Sequence, residues 1–290
     1  MSETSRPAAC CNVCPHRCRI PEGKTGRCRA RGTRDGAVVP LNYGAATSLA
    51  LDPIEKKPLA RFYPGSTILS IGSFGCNLSC PFCQNWEIST SDGREFLRGR
   101  KEGENRIAPE TLAELAEQLR NRGNIGVAFT YNEPLICWEY VRDTAKLLRE
   151  RELKTVLVTN GCMNGEIAEE VLPLTDALNI DLKSFREEVY RKTLGGDLET
   201  VKRFIARAAE SCHVELTSLV VPGMNDAEDE MRAMTEWIAS LPGGEEIPLH
   251  VTRFFPRYRM TDRKPTERAT VLHLAEVARE RLKYVYPGNM

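Results

Sequence analysis

Cys76, Cys80 and Cys83 are spaced Cys-x3-Cys-x2-Cys in the stretch Ser73-Phe-Gly-Cys-Asn-Leu-Ser-Cys-Pro-Phe-Cys-Gln-Asn-Trp86, with an aromatic, Phe82, directly before the third cysteine. The number three is informative. A structural zinc site closes with four protein ligands, and a cubane of four irons is ordinarily held by four cysteines. Three thiolates on such a cluster leave one iron open. An open iron can chelate a small molecule and pass it an electron, whereas a closed cluster can only relay electrons.

A second group lies upstream: Cys11, Cys14, Cys18 and Cys28, with Cys10 and His16 nearby. Four thiolates in a segment too short to fold on apolar burial suit a metal, whose binding would supply the missing folding free energy. A closed zinc site, an auxiliary iron–sulfur cluster and plain reduced cysteines all remain open here. The other cysteines (Cys137, Cys162 and Cys212) fall at apolar or segment-end positions and are expected to be small buried hydrophobes. With no apolar export signal in Met-Ser-Glu-Thr-Ser-Arg-Pro at the N-terminus, eleven cysteines are not expected to be disulfides.

The elements that would position the cysteines begin at about Thr67, where short apolar runs alternate with amphipathic stretches. Strands are expected at Thr67–Gly72, Ile125–Tyr131, Thr155–Thr159, Leu178–Leu182, Val214–Val221 and Leu249–Phe254. Helices are expected at Ala108–Arg122, Trp138–Glu150, Asn225–Ser240 (capped by its Asn-Asp opening) and Thr266–Arg281. This alternation predicts an α/β fold with a parallel sheet, as a closed barrel, a partial barrel or an open sheet. In such folds ligands sit at the carboxyl ends of the strands, and the cysteine loop follows the first strand. Residues 1–45 read instead as a loop-rich, Cys- and Arg-rich metal-binding module, ahead of a barrel over residues 46–290.

With 40 basic and 40 acidic residues, the 290-residue chain has no bulk charge to drive binding to nucleic acid or anionic membrane. No apolar run reaches the length of a membrane span, so a cytoplasmic location is expected. Basic residues do concentrate at Arg17, Arg19, Lys24, Arg27, Arg29, Arg31 and Arg34. A solvated surface explains them without a partner. Docking to RNA or an acidic protein is the alternative, although aromatics for base stacking are missing until Tyr43.

The Cys76–Cys83 loop resembles the defining motif of the radical S-adenosylmethionine (SAM) superfamily. Wider stretches resemble the radical SAM enzyme family of the AmmeMemoRadiSam system, related to glycyl-radical-enzyme activases. They include Cys11-Asn-Val-Cys-Pro-His-Arg-Cys18, Leu51-Asp-Pro-Ile-Glu-Lys-Lys-Pro-Leu59, Phe62-Tyr-Pro-Gly-Ser66, Cys80-Pro-Phe-Cys-Gln-Asn-Trp-Glu-Ile88, Phe129-Thr-Tyr-Asn-Glu-Pro134, Val158-Thr-Asn-Gly161, Asn179-Ile-Asp-Leu-Lys183 and Pro222-Gly-Met-Asn-Asp226. One departure is that many family members carry a short cysteine-containing tail after the last strand, where this sequence reads Pro287-Gly-Asn-Met290.

The resemblance implies a partial (β/α)6 TIM-like barrel, a [4Fe–4S] cluster on Cys76, Cys80 and Cys83, and an enzyme that reductively cleaves SAM to a 5′-deoxyadenosyl radical. It implies an electron donor such as flavodoxin or ferredoxin. The hydrogen to be abstracted would come from a glycyl residue of a partner protein or from a small molecule. Asn132 and Glu133 occupy the place of the segment that accepts hydrogen bonds from the SAM ammonium, with Phe82 also at the cofactor. Asn160, Asp181 and Lys183 would line the cavity, Lys183 meeting the SAM carboxylate unless it simply pairs with Asp181. His250 and Arg253, three apart on the last strand, should face opposite sides. A radical RNA-modifying enzyme and a non-enzymatic iron–sulfur electron carrier are the rival readings. The second has no use for an open iron.

Overall fold

The computed structural model describes residues 8–92 and 106–290. The first strands are short antiparallel pairs, β1 (Ala9–Cys10) with β2 (Arg19–Ile20) and β3 (Arg31–Arg34) with β4 (Ala37–Pro40). The main sheet holds β5 (Ser48–Pro53), β6 (Thr67–Gly72), β7 (Asn124–Phe129), β8 (Lys154–Thr159), β9 (Ala177–Asp181), β10 (His213–Val220), β11 (Leu249–Arg253) and β12 (Val285–Gly288). Its order follows the chain from β5 to β12; β5 pairs antiparallel with β6 and all other pairs are parallel. The crossover helices are α1 (Pro109–Gln118), α2 (Trp138–Glu150), α3 (Gly165–Val171), α4 (Leu198–Ala209), α5 (Glu228–Ala239) and α6 (Arg268–Arg279). Each follows one of β6 to β11, giving the expected partial (β/α)6 barrel, with β12 and β5 added at its edges.

Alternation along the strands separates two apolar clusters. Leu69, Ile71, Val127, Phe129, Leu157, Leu178 and Ile180 belong to the large core shared with helix residues such as Leu112, Leu148 and Ile205. The residues between them, Ile68, Ala128, Val156 and Ala177, form a smaller cluster with Ile54 and Leu59. Ile54 and Leu59 come from the strap joining β5 to β6, which therefore fills the inner face. The strap is fastened at its far side. Glu215 of β10 is fully buried and accepts hydrogen bonds from the Ala60 and Arg61 amides at 2.9 and 2.8 Å. His213 and His250 also meet the Glu215 carboxylate, at 2.9 and 2.7 Å, and the Asn179 amide donates to the Pro58 carbonyl at 2.8 Å. His250 is thus on the inner face, while Arg253 donates to the Thr266 carbonyl.

Several elements depart from expectation. The Asn-Asp pair before α5 does not cap it, for the helix starts after Ala227 without a side-chain cap. Asn225 is instead a loop brace, accepting from the Val221 amide and donating to the Lys183 and Leu219 carbonyls. Helix α4, capped by Asp197 on the Thr200 amide at 2.7 Å, was not anticipated, nor were α3, β5 and β12. The N-terminal segment contains strand pairs, and it is not set apart from the barrel. Cys11, Val13, Cys14, Ile20, Cys28 and Ala30 are buried in the large core with the barrel's helices. Arg31 is not a solvated surface residue either, being buried against Glu139 and the Ile136 carbonyl.

Candidate active site

Every predicted site residue outside the N-terminal segment lies at the carboxyl end of a strand. The cysteine loop begins at Ser73, just after β6; Asn132 and Glu133 follow β7, Asn160 follows β8, and Asp181 ends β9 two residues before Lys183. Adjacent parallel strands bring these ends side by side. Gly75 enters the loop at φ +85°, a region that penalises side chains. A Cβ there would also lie 2.5 Å from the Cys28 carbonyl oxygen.

Hydrogen bonds then fix the loop from three sides. Asn132 accepts from the Ser73 amide at 3.0 Å and donates to the Phe74 and Gly75 carbonyls at 3.2 and 3.0 Å. Asn77, fully buried, donates to the Cys162 carbonyl at 2.8 Å and accepts from the Asn160 amide group at 2.9 Å. Ser79 receives Arg27 on its hydroxyl and bonds the Leu194 carbonyl through its backbone amide. On the outer side, the amide of Arg259 donates to the Pro81 carbonyl. Trp86 stacks on Tyr258 with ring centroids 5.2 Å apart, so the loop after β11 also frames the cysteines.

The polar groups divide into those beside the thiols and those beneath. Asn160 Nδ2 lies 3.7 Å from Cys76 Sγ, and the Ser89 hydroxyl lies 3.2 Å from Cys83 Sγ. Lys183 pairs with Asp181 at 2.9 Å. Burial by itself would lower the Lys183 ammonium, but the Asp181 carboxylate and then Cys80 hold it above its ordinary value. Burial pushes the Cys80 thiol up to about 11, with Lys183 opposing the rise, and Cys76 well above its usual range, with Glu133 adding to it. These are thiols that a positive centre would have to ionise.

Glu133 lies beneath, 1% exposed. Its carboxylate accepts from the Leu135 amide at 3.0 Å, the Thr159 hydroxyl at 2.7 Å and the Asn160 amide at 2.7 Å. Burial raises it to about 7 in spite of those donors. Glu133 and Asn132, expected to face a ligand's ammonium, tie strand ends and cysteine loop together. Phe82 is buried in the large core, backing the loop. The pairing of Lys183 with Asp181 is present as the structural alternative had it.

Sequence reasoning overlooked Asn77, although it sits between two of the quoted cysteines. It also passed over Tyr131, which takes φ +73° at the end of β7. Its hydroxyl donates to Asp52 at 2.7 Å, its ring lies under Lys57 Nζ at 4.7 Å, and its carbonyl accepts from Asn85. No hydropathy signal marks such a residue, because the strain and the partners are tertiary.

Cys11, Cys14, Cys18 and Cys28 all line one small cavity, closed by Val13, Ile20 and Ile136. Burial pushes Cys14 up to about 12 and raises Cys28. Among the described residues, no three His, Cys, Asp or Glu side chains are drawn onto a single point as one bare ion requires. That holds for both cysteine groups. By donor type, Cys76, Cys80 and Cys83 are the thiols that a cubane would take, one to each of three irons. Cys137 and Cys162 are buried as expected, and Cys212 is half-buried. Among the described residues no helix is long and apolar enough to cross a membrane.

An uncharacterised protein of Methanocaldococcus jannaschii is 38% identical over 97% of this chain and 81% of its own length. The pyruvate formate-lyase 1-activating enzyme of Escherichia coli strain K12 is 25% identical over 60% of this chain and 70% of its own. Among solved structures, Streptococcus suis SuiB bound to S-adenosylmethionine superposes with a TM-score of 0.54 at 14% identity, covering 76% of this chain and 51% of that one. That likeness concerns the fold. The radical SAM superfamily model matches residues 70–235, a span that holds the three-cysteine loop and the ends of β6 to β9. With more than half its length matched, the chain belongs to the radical SAM superfamily.

Proposed function

We propose that this radical SAM enzyme, related to the glycyl-radical-enzyme activases, abstracts a hydrogen atom from a glycyl residue of a partner protein or from a small molecule, in the manner of the AmmeMemoRadiSam family. The supporting observation is the gathering of three thiols, Asn160 and the Lys183–Asp181 pair at adjacent strand ends. Cys76, Cys80 and Cys83 hold the [4Fe–4S] cluster in this reading and leave one iron open. When bound, cluster and SAM together supply the one-electron cleavage that yields methionine and a 5′-deoxyadenosyl radical.

The chain's own residues do the positioning. Lys183, kept charged by Asp181, offers an ammonium beside Cys80 to the SAM carboxylate. Asn160 donates toward Cys76 while its own amide is fixed by Glu133. Asn132 and Glu133 act through these neighbours as positioning residues. Phe82 backs the loop and excludes water. The electron donor in this reading is a redox protein such as flavodoxin or ferredoxin. The buried Arg31 leaves the RNA reading with less basic surface than the sequence promised.

Anaerobically reconstituted protein should show a low-temperature EPR signal that shifts on adding SAM. A spectrum indifferent to SAM would remove the proposal. Deuterium carried into 5′-deoxyadenosine from a labelled candidate, peptide or small molecule, then separates the two substrate classes.

A further inference from the structure

We propose that Cys11, Cys14, Cys18 and Cys28 bind a second, thiolate-held metal centre whose occupancy sets the geometry of the Cys76–Cys83 loop. The first half stands on the cavity. Four cysteines from separate turns of an irregular segment face one space, walled by Val13, Ile20 and Ile136 and bordered by Arg27 and Arg31; they do not converge on one point, so a metal would have to draw them together as it binds. Thiolates in apolar surroundings select soft, thiophilic cations, and a zinc ion and the irons of an iron–sulfur cluster share that chemistry. The strands of this segment are two to four residues long, too short to fix four thiol positions unaided.

The second half stands on what the cavity wall touches. The Cys28 carbonyl abuts Gly75, next to Cys76, so closely that only glycine fits. His16 Nε2 lies 3.0 Å from the carbonyl oxygen of Asn77, and Arg27 donates to the Ser79 hydroxyl at 3.1 Å. His16 and Arg27 each lie within two residues of one of the four cysteines. From the other direction, Asn164 donates to the Asn12 and Val13 carbonyls at 2.7 and 3.1 Å. Asn77 is the residue that holds Asn160 against Cys76. A shift in the upstream thiols is thereby passed from His16 through three hydrogen bonds to the first cysteine of the SAM cluster. The segment read as a metal-binding module is in this proposal coupled to the cysteine loop. Only this second half rests on the proposed function, and the experiment separates the two.

The test begins with a Cys76→Ala/Cys80→Ala/Cys83→Ala variant, purified anaerobically and analysed for zinc, iron and acid-labile sulfide. About one zinc per chain, or iron with matching sulfide, supports the second centre and identifies it. A metal-free variant overturns it, whatever the wild type does with SAM. Next, Cys14→Ser in the otherwise intact chain should lose that metal, keep about four irons, and bind SAM about ten-fold more weakly. His16→Ala leaves all cysteines in place and provides the same readout should Cys14→Ser fail to fold. Its EPR response to SAM should be altered at unchanged metal content. Wild-type SAM affinity and an unchanged spectrum in His16→Ala overturn the coupling.

Discussion

At the scale of single residues, the site depends on side chains whose hydrogen-bonding capacity is committed before any ligand arrives. Cys80→Ala should leave a folded protein that has lost the three-thiolate cluster and all SAM cleavage, measured by iron content and by 5′-deoxyadenosine formed with dithionite. Glu133 gives a different prediction, because it is buried and raised from 4.5 to about 7. A carboxyl whose folded pKa lies above its unfolded one binds more protons when folded, so its contribution to stability falls as pH rises from about 4.5 to about 7. Glu133→Gln should flatten that slope in thermal unfolding across the same range. It should also cost about 1–3 kcal/mol, since an amide cannot accept from all three donors. The cysteines were legible in the sequence because three and four thiols at fixed spacings have few structural uses. Asn77 and Tyr131 were not, since their roles come from partners 46 to 85 positions away along the chain.

At the scale of elements, the strap joining β5 to β6 deserves a test of its own. Burial alone would raise the Glu215 carboxyl. Hydrogen bonds from His213 and His250, and then from the Ala60 and Arg61 amides, outweigh it and hold the group down to about 2. That stabilisation is present above the usual value of 4.5 and is lost as pH falls toward about 2. Glu215→Gln should cost about 3–5 kcal/mol at neutral pH and make acid unfolding less steep below pH 4.5, as followed by far-UV circular dichroism. The expected strands β6 to β11 were found within a residue or two, because buried parallel strands read as apolar runs. The strap and β5 escaped notice since Pro53, Lys56, Lys57 and Pro58 interrupt any period. Their buried Lys57–Asp52 pair makes sense only once the barrel surrounds it. Helix α4 was legible in principle, for Leu198, Val201, Phe204, Ile205 and Ala208 keep a helical stripe.

At the scale of the whole molecule, the N-terminal segment and the barrel share one apolar core. Urea unfolding should accordingly be a single transition, with tryptophan fluorescence and circular dichroism coincident. Two separated transitions would instead mark residues 1–45 as an independent unit. The fold class followed from the βα rhythm alone, whereas the position of the first segment could not, because no period or hydropathy records which surface a loop will lie on. The order of strands in the sheet has a consequence for synthesis. Since β5 to β12 are laid down side by side in chain order, each βα unit emerging from the ribosome can add to a growing edge through local contacts. The N-terminal cysteines cannot follow that schedule. They are made before the barrel, and Asn164, which fastens Asn12 and Val13, arrives some 150 residues later. For much of translation, then, four thiols wait without their final wall, within reach of oxidants or of whatever machinery delivers metal.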